Sequence, residues 1–292
     1  MRIPSAPAWA LLVGAALWGV VWYPFRLLAA AGLDGLWSTL FTYGIAFIAG
    51  CIAFPRQARV LRRLPPLAML MGLAIGWSNL AYVLGVVEGE VMRVLLLFYL
   101  APLWTVPLAR LFLHERLDAR GLAVMALAFA GAMTMLWHPE LGLPWPQGRP
   151  EWLGLLAGFL FALGNVLVRR LADLTDAEKS IVIWAGVTVA ALVHLPGSKL
   201  SADAAFALGA VHWRLIAGIG VALVGMGLVL QYGLSRLPAN RAIVILLSEL
   251  VIAAVAAYFL AGEVLRLRDW IGGALIAAAT VASAWRPQAP TA

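Results

Sequence analysis

Residues 80–137 read LAYVLGVVEGEVMRVLLLFYLAPLWTVPLARLFLHERLDARGLAVMALAFAGAMTMLW, and residues 228–285 repeat the plan at a constant offset of 148. Gly85 falls on Gly233, Arg93 on Arg241, Glu115 on Glu263, Leu117 on Leu265, Arg120 on Arg268 and Trp137 on Trp285. Each copy runs through a glycine, a short polar break, a long apolar run, an acidic turn and a second apolar run. Identity between the copies is low, so the order of features carries the reading, which is a duplicated unit.

The composition says what solvent that unit meets. The chain has 292 residues, of which 63% are hydrophobic and 12% charged. A soluble domain carries about 25% charged residues, so the surface of this chain must face lipid. A helical span takes about 20 apolar residues. Ten spans fit, at about 8–30, 37–55, 67–87, 91–113, 119–137, 151–171, 180–196, 211–233, 239–260 and 269–285, with 180–196 the shortest and weakest. The runs are continuous rather than alternating, which excludes barrel strands. The run at 8–28 is too long for a signal-peptide core and reads as the first span. The expected fold is an all-α membrane protein.

Five spans on either side of a Pro- and Gly-rich joint at 138–150 give two units, 1–145 and 146–292. Gly14 to Gly19 in the first span resembles Gly158 to Gly164 in the sixth, so the whole unit is five helices. Five is odd, so the second copy enters the membrane upside down. Inverted repeats of this kind place a binding site near the bilayer midplane between the halves. With the N-terminus inside, fourteen of the 21 Lys and Arg fall on the inner side, including Arg56, Arg59, Arg62 and Arg63. That places both termini in the cytoplasm. The net charge of +7 is scattered singly between apolar runs, which gives no nucleic-acid face. A lone Cys51 excludes an internal disulfide and a multi-cysteine metal site. No metal or cofactor is implied. No HExxH, GxSxG or nucleotide-binding loop is present, which argues against an enzyme or an ATP-driven pump.

Specific motifs sit on this frame. They are Tyr99-Leu100-Ala101-Pro102 and Leu113-His114-Glu115-Arg116-Leu117 in the first half. The second half has Ser235-Arg236-Leu237-Pro238-Ala239, Ser248-Glu249-Leu250 and Ala261-Gly262-Glu263-Val264-Leu265. In order and spacing the chain resembles the drug/metabolite transporter superfamily, in its ten-helix branch of paired EamA-type repeats. The resemblance implies a secondary transporter of the inner membrane with a central cavity lined by helices 1, 3, 4, 6, 8 and 9. It is most similar to the exporters of neutral and aromatic amino acids. Carriers of nucleotide sugars, phosphorylated sugars or drugs share the architecture, and a structural or channel-like subunit is the non-transporter alternative. The family often has a proline after the helix-9 acid. Here that place is Leu250, which removes the proline-driven reason for a break.

Glu249 is the only acid deep in a span, and an intramembrane acid is a functional candidate by default. It could meet a substrate ammonium group or carry a proton, protons being a candidate coupling partner, or it could simply pin helix 9. Trp77, Asn79 and Tyr82 lie near mid-membrane on helix 3, with Asn79 and Tyr82 on one face. Asn165, Gln231 and Ser248 complete the polar set, which serves either a cavity or interhelical hydrogen bonds. Trp18, Trp22 and Trp104 lie deep and, with Trp77, Tyr82 and Tyr99, could line an aromatic cavity. Trp37 and the other tryptophans at helix ends read as interfacial anchors. Pro102 and Pro107 mark a kink, or a gate, in helix 4. Glu115 and Glu263 read as solvated pairs or hairpin caps.

Overall fold

The computed structural model describes residues 5–88, 91–137, 145–261 and 265–284. Glu263, Trp285 and most of the joint at 138–150 lie outside the described residues. All the regular structure within them is helical. The first half holds α1 (Ala6–Ala30), α2 (Gly35–Ala53), α3 (Pro66–Glu88), α4 (Val91–Phe98), α5 (Ala101–Leu113) and α6 (Ala119–Leu136). The second holds α7 (Arg149–Arg170), α8 (Asp176–His194), α9 (Ala202–Val211), α10 (Trp213–Arg236), α11 (Ala239–Leu246), α12 (Ser248–Ala261) and α13 (Leu267–Ala284). Nine segments of the described chain are long and apolar enough to cross a membrane, with α4–α5 and α11–α12 each counted as one. The eighteen-residue α13, which opens on Leu267-Arg268-Asp269, is the counterpart of α6 at an offset of 148 and packs along it.

Both long helices expected at 91–113 and 239–260 are broken, at equivalent places. The break after Phe98 follows from Pro102, which stands in the first turn of α5. Proline has no N–H, and its ring crowds the carbonyl four residues back, here that of Phe98. The kink therefore lies before Pro102 rather than between it and Pro107, and Pro107 sits exposed inside α5. The second break falls at Leu247 without any proline. There the Ser248 hydroxyl donates to the Ile245 carbonyl at 2.7 Å, a back-bond that bends helices. The missing proline at Leu250 thus does not remove the break.

Local chemistry sets the other ends. Asp34 caps α2 through the Trp37 N–H at 2.9 Å, and Asp118 caps α6 through Gly121 at 2.8 Å. Thr175 and Glu178 form a capping box that starts α8 at Asp176, four residues before the expected start at 180. Lys179 is thereby inside the helix. The ten-residue α9 was not expected. Its Phe206 packs on Trp37 and Phe41 with ring centroids 5.7 and 5.5 Å away. Trp37 is therefore buried, with its indole N–H on the Leu200 carbonyl at 3.2 Å, and is not an interfacial anchor. Trp9, Trp145, Trp152, Trp213 and Trp270 are exposed, as anchors should be.

The halves interlock rather than abut. α3 packs against α7 and α8, and its counterpart α10 packs against α1 and α2. α5 lies on α7, α12 lies on α1, and α6 pairs with α13. Lipid gives helices no hydrophobic reason to associate, so small residues and polar bonds must hold these seams. Gly72, Gly76 and Gly186 bring the backbones of α3 and α8 together. Gly131 meets the Gly272 carbonyl, and Gly154 and Gly158 receive the backbone of Val94 and Phe98. The Trp184 ring fills the gap left by Gly50 on α2 and Gly227 on α10.

Candidate functional site: an aromatic and carboxyl centre with a polar inner end

The two helix breaks bring Tyr99 and Glu249 to the middle of the bundle. Tyr99 lies between the Phe98 end of α4 and the Ala101 start of α5, and Glu249 is the second residue of α12. The Glu249 carboxylate acts electrostatically on the phenols of both Tyr82 and Tyr99. No cation acts on any of the three among the described residues. The Phe98 ring joins the group, 5.3 Å from Tyr82, 5.3 Å from Tyr99 and 5.4 Å from Phe161. Gly19 of α1 lets that helix approach the Glu249 carbonyl and the Ala253 N–H closely. Glu249 itself makes no hydrogen bond with a described residue and is half-buried.

The remaining candidates divide. Asn79 lies near the Tyr43 hydroxyl of α2, while Tyr82 packs on Phe98 of α4, so the two residues expected to share a face meet different helices. Trp77 packs among Leu36, Leu80 and Ala190, beside His194, and so belongs to an apolar cluster rather than to the centre. Trp18 borders the main core. Trp22 is edge-on to Tyr23, with Arg26 over its ring at 5.9 Å. Trp104 is 36% exposed and packs on Phe159 outside the centre. The Ser248 hydroxyl is spent on the Ile245 carbonyl. Asn165 and Gln231 are buried, and the Asn165 Nδ2 and Gln231 Oε1 atoms have no protein partner, as is also true of Asn240 Oδ1.

Those amides lie one turn from a polar lattice at the bundle end that carries Glu115. His114 adopts a left-handed φ of 57°, which histidine tolerates better than most side chains. It ends α5 and turns Glu115 back, its N–H on the Ala109 carbonyl at 3.2 Å. The Glu115 carboxylate accepts from the Ala239 N–H at 2.9 Å, capping α11 in the other half, and approaches Arg169 at 3.9 Å. Burial holds this carboxyl above the ordinary carboxylate range, with the Ala239 N–H and Arg169 pulling the other way. Arg169 donates to the Ser235 carbonyl, and the Lys179 ammonium, 1% exposed, donates to the Ser235 hydroxyl at 2.8 Å. Arg236 pairs with Asp176 at 2.7 Å. Glu115 is thus a bridge between the halves, not a solvated pair on its own hairpin.

Sequence reasoning did not single out Lys179, Asn240 or Tyr43, and it took Ser235 only as part of a motif. The Thr175-Asp176-Ala177-Glu178 capping signature would have drawn Lys179 into the span. At the opposite end, Arg93 takes Glu151 at 2.7 and 3.1 Å and joins α4 to α7. Its counterpart Arg241 takes the Ser283 carbonyl at 2.6 Å and joins α11 to α13.

A cavity of about 450 Å³ forms an open groove beside His114, Glu115, Arg169 and Arg170, away from the aromatic centre. Among the described residues no cluster of His, Cys, Asp and Glu is placed to hold a metal.

Comparison with known proteins agrees with this architecture. A solved crystal structure superposes with a TM-score of 0.75 over 99% of this chain and 100% of its own, at 16% identity, which bears on the fold alone. An uncharacterized transporter of Archaeoglobus fulgidus is 30% identical over 227 residues, covering 74% of this chain and 76% of that protein. The model of the EamA-like transporter family matches twice, at residues 6–137 and 149–285, one match to each half. The chain belongs to the EamA-like transporter family, and it is a multi-span membrane protein of a transporter family.

Proposed function

We propose that this protein is a secondary transporter that exports neutral or aromatic amino acids, or closely similar metabolites, by alternating access between two five-helix units, 1–145 and 146–292. In this reading both termini face the cytoplasm and the protein resides in the inner membrane. The observation that carries the proposal is Glu249, a carboxylate beside Tyr82, Tyr99 and Phe98 on which no protein cation acts among the described residues. A lone acid in a span is costly, and a substrate ammonium group would supply its missing partner. The neighbouring rings supply an apolar, aromatic surface for the substrate side chain. A phosphorylated or nucleotide-sugar substrate would instead want guanidinium or ammonium groups there.

The fold supports a cycle in which the two ends of the bundle open in turn. Substrate enters from the inner end when the Glu115, Arg169, Lys179 and Ser235 bonds part, and binds between α3, α4, α10 and the α11–α12 break. It leaves when the opposite end opens and this end closes. The buried amides Asn165, Gln231 and Asn240 stand along the inner part of that route, where their free polar atoms can meet water or substrate. A proton on Glu249 is the coupling ion that this arrangement can accommodate.

The test is counterflow of labelled phenylalanine or leucine in proteoliposomes, with competition by amino acids, sugars, phosphorylated sugars and nucleotide sugars. Saturable exchange competed by amino acids is expected. Exchange competed only by phosphorylated compounds, or an unsaturable flux, would overturn the reading. Glu249→Gln should abolish exchange or remove its pH dependence. Unchanged exchange at every pH takes Glu249 out of the mechanism.

A further inference from the structure

We infer that the groove between the C-terminal turns of α5 and α7 binds the phosphate of an anionic phospholipid, with Arg170 as its principal ligand. The groove holds about 450 Å³ and is lined by Phe112, Leu113, His114, Arg169 and Arg170, with Glu115 as its one carboxylate. Glu115 is already occupied by the Ala239 N–H and by Arg169. Arg170 is exposed and lies within ion-pair distance of no described carboxylate. Arg110, Arg116 and Arg120, within a few residues of that lining in the chain, are exposed and likewise unpaired among the described residues. The local acids Asp118 and Asp176 are committed, one to the cap of α6 and the other to Arg236, which leaves Asp173 exposed on the following loop. The groove therefore carries an excess of fixed positive charge that no protein group neutralises.

Chemistry and place together favour a lipid over a free ion. One wall is phenyl and leucyl, and on the same last turn of α5 Leu111 is 68% exposed, which continues the apolar surface toward the bilayer. A guanidinium at the headgroup level over an apolar wall suits a phosphodiester with its acyl chains below. The orientation proposed above makes this the inner leaflet, whose anionic lipids gather beside such basic pockets. The groove also shares Arg169 with the lattice that ties α7 to Ser235 of α10. A phosphate held between Arg169 and Arg170 screens the repulsion of two adjacent cations and so steadies that end of the bundle.

The test needs no transported substrate, so its failure is distinct from failure of the transport reading. Purified protein is titrated with phosphatidylglycerol, phosphatidylcholine or inorganic phosphate, and is followed by melting temperature and by native mass spectrometry of retained lipid. Phosphatidylglycerol is expected to raise the melting temperature and remain bound, while phosphatidylcholine does neither. Arg170→Gln should weaken the response on the order of fivefold, and Arg170→Lys should keep most of it. Arg59→Gln, outside the groove on the same side, should leave it unchanged. Equal responses to both lipids, or equal losses from Arg59→Gln and Arg170→Gln, overturn a built site. Loss in the Gln and Lys variants alike overturns phosphate as the bound group, and a full response to inorganic phosphate overturns the lipid as its source.

Discussion

The crossing of α3 over α8 and the crossing of α10 over α2 are one contact met twice, because the offset of 148 carries Gly72 onto Gly220, and α2 and α8, aligned from their first residues Gly35 and Asp176, set Ile45 against Gly186. They are built differently. At the first, Gly72, Gly76 and Gly186 set backbone on backbone, so that a Cβ on Gly186 would be driven into the Gly72 carbonyl and its Cα. At the second, Ile45 stands where Gly186 would be, and a Cβ on Gly220 would meet Ile45 Cγ2 at 2.6 Å and the Thr42 carbonyl at 3.0 Å. The first seam is backbone on backbone alone, whereas the second has the Ile45 side chain in it as well as the Thr42 carbonyl, so the first is the more rigid. What ties α10 instead is polar. Lys179 and Arg169 hold Ser235, and Arg236 holds Asp176. The equivalent outer place on α2 is Ser38, whose hydroxyl donates to the Leu33 carbonyl of its own segment, and Gly35 meets only the Val83 side chain.

The largest effect should fall on the more rigid seam. Gly186→Ala is expected to cost about 3 kcal/mol or more, since overpacking against backbone finds nothing that can move. Detergent gel filtration and melting temperature read it, and a wild-type melting temperature would break the distinction between the seams. Ser235→Ala should come next, at about 1–3 kcal/mol, because it leaves the buried Lys179 ammonium without its hydroxyl. Lys179→Met removes the charge together with the need for a partner and should cost less than Ser235→Ala. Denaturant or thermal unfolding ranks the two, and the reverse order would argue that Asp176 rather than Ser235 satisfies the lysine. Gly220→Ala should cost about 1 kcal/mol and be partly restored by Ile45→Ala in the double variant, which removes the Cγ2 atom that the new methyl meets, a coupling expected of residues in contact. Absence of that rescue would mean the Thr42 carbonyl, not Ile45, limits the approach.

The smallest effect belongs to Glu115, and there the sign depends on pH. Its carboxyl is held above the ordinary range by burial, so the folded protein binds more protons than the unfolded chain between the ordinary and the raised value. Its contribution is complete below the ordinary value and declines as pH rises through the folded one. Glu115→Gln keeps an acceptor for the Ala239 N–H and is expected to shift stability by less than about 1 kcal/mol, gaining on the wild type as pH rises above the ordinary carboxylate value of about 4. Melting curves across that range check it. A variant that loses ground toward high pH would show that Arg169 outweighs burial.

The residues differ in how far they could be read without the fold. The spans and the break before Pro102 are written locally, in run length and in a missing N–H. The capping box at Thr175 is local too, and it would have placed Lys179 within α8. The break at Ser248 was not legible, because a serine hydroxyl only sometimes turns back on its own helix. Trp37 reads as an anchor until α9 covers it. Glu115 reads as a hairpin cap because its partner, Ala239, is 124 residues away.

The sequence by itself determined a multi-span, all-helical membrane protein with a repeated plan, because lipid forces each segment to satisfy its own backbone and so to declare itself by length and polarity. The tertiary structure alone decided which seam is backbone alone and which holds a side chain, where Glu249 meets Tyr82 and Tyr99, and what Lys179 holds. In lipid, positions that face the core and positions that face the bilayer are equally apolar, so hydrophobic pattern carries little record of which faces meet.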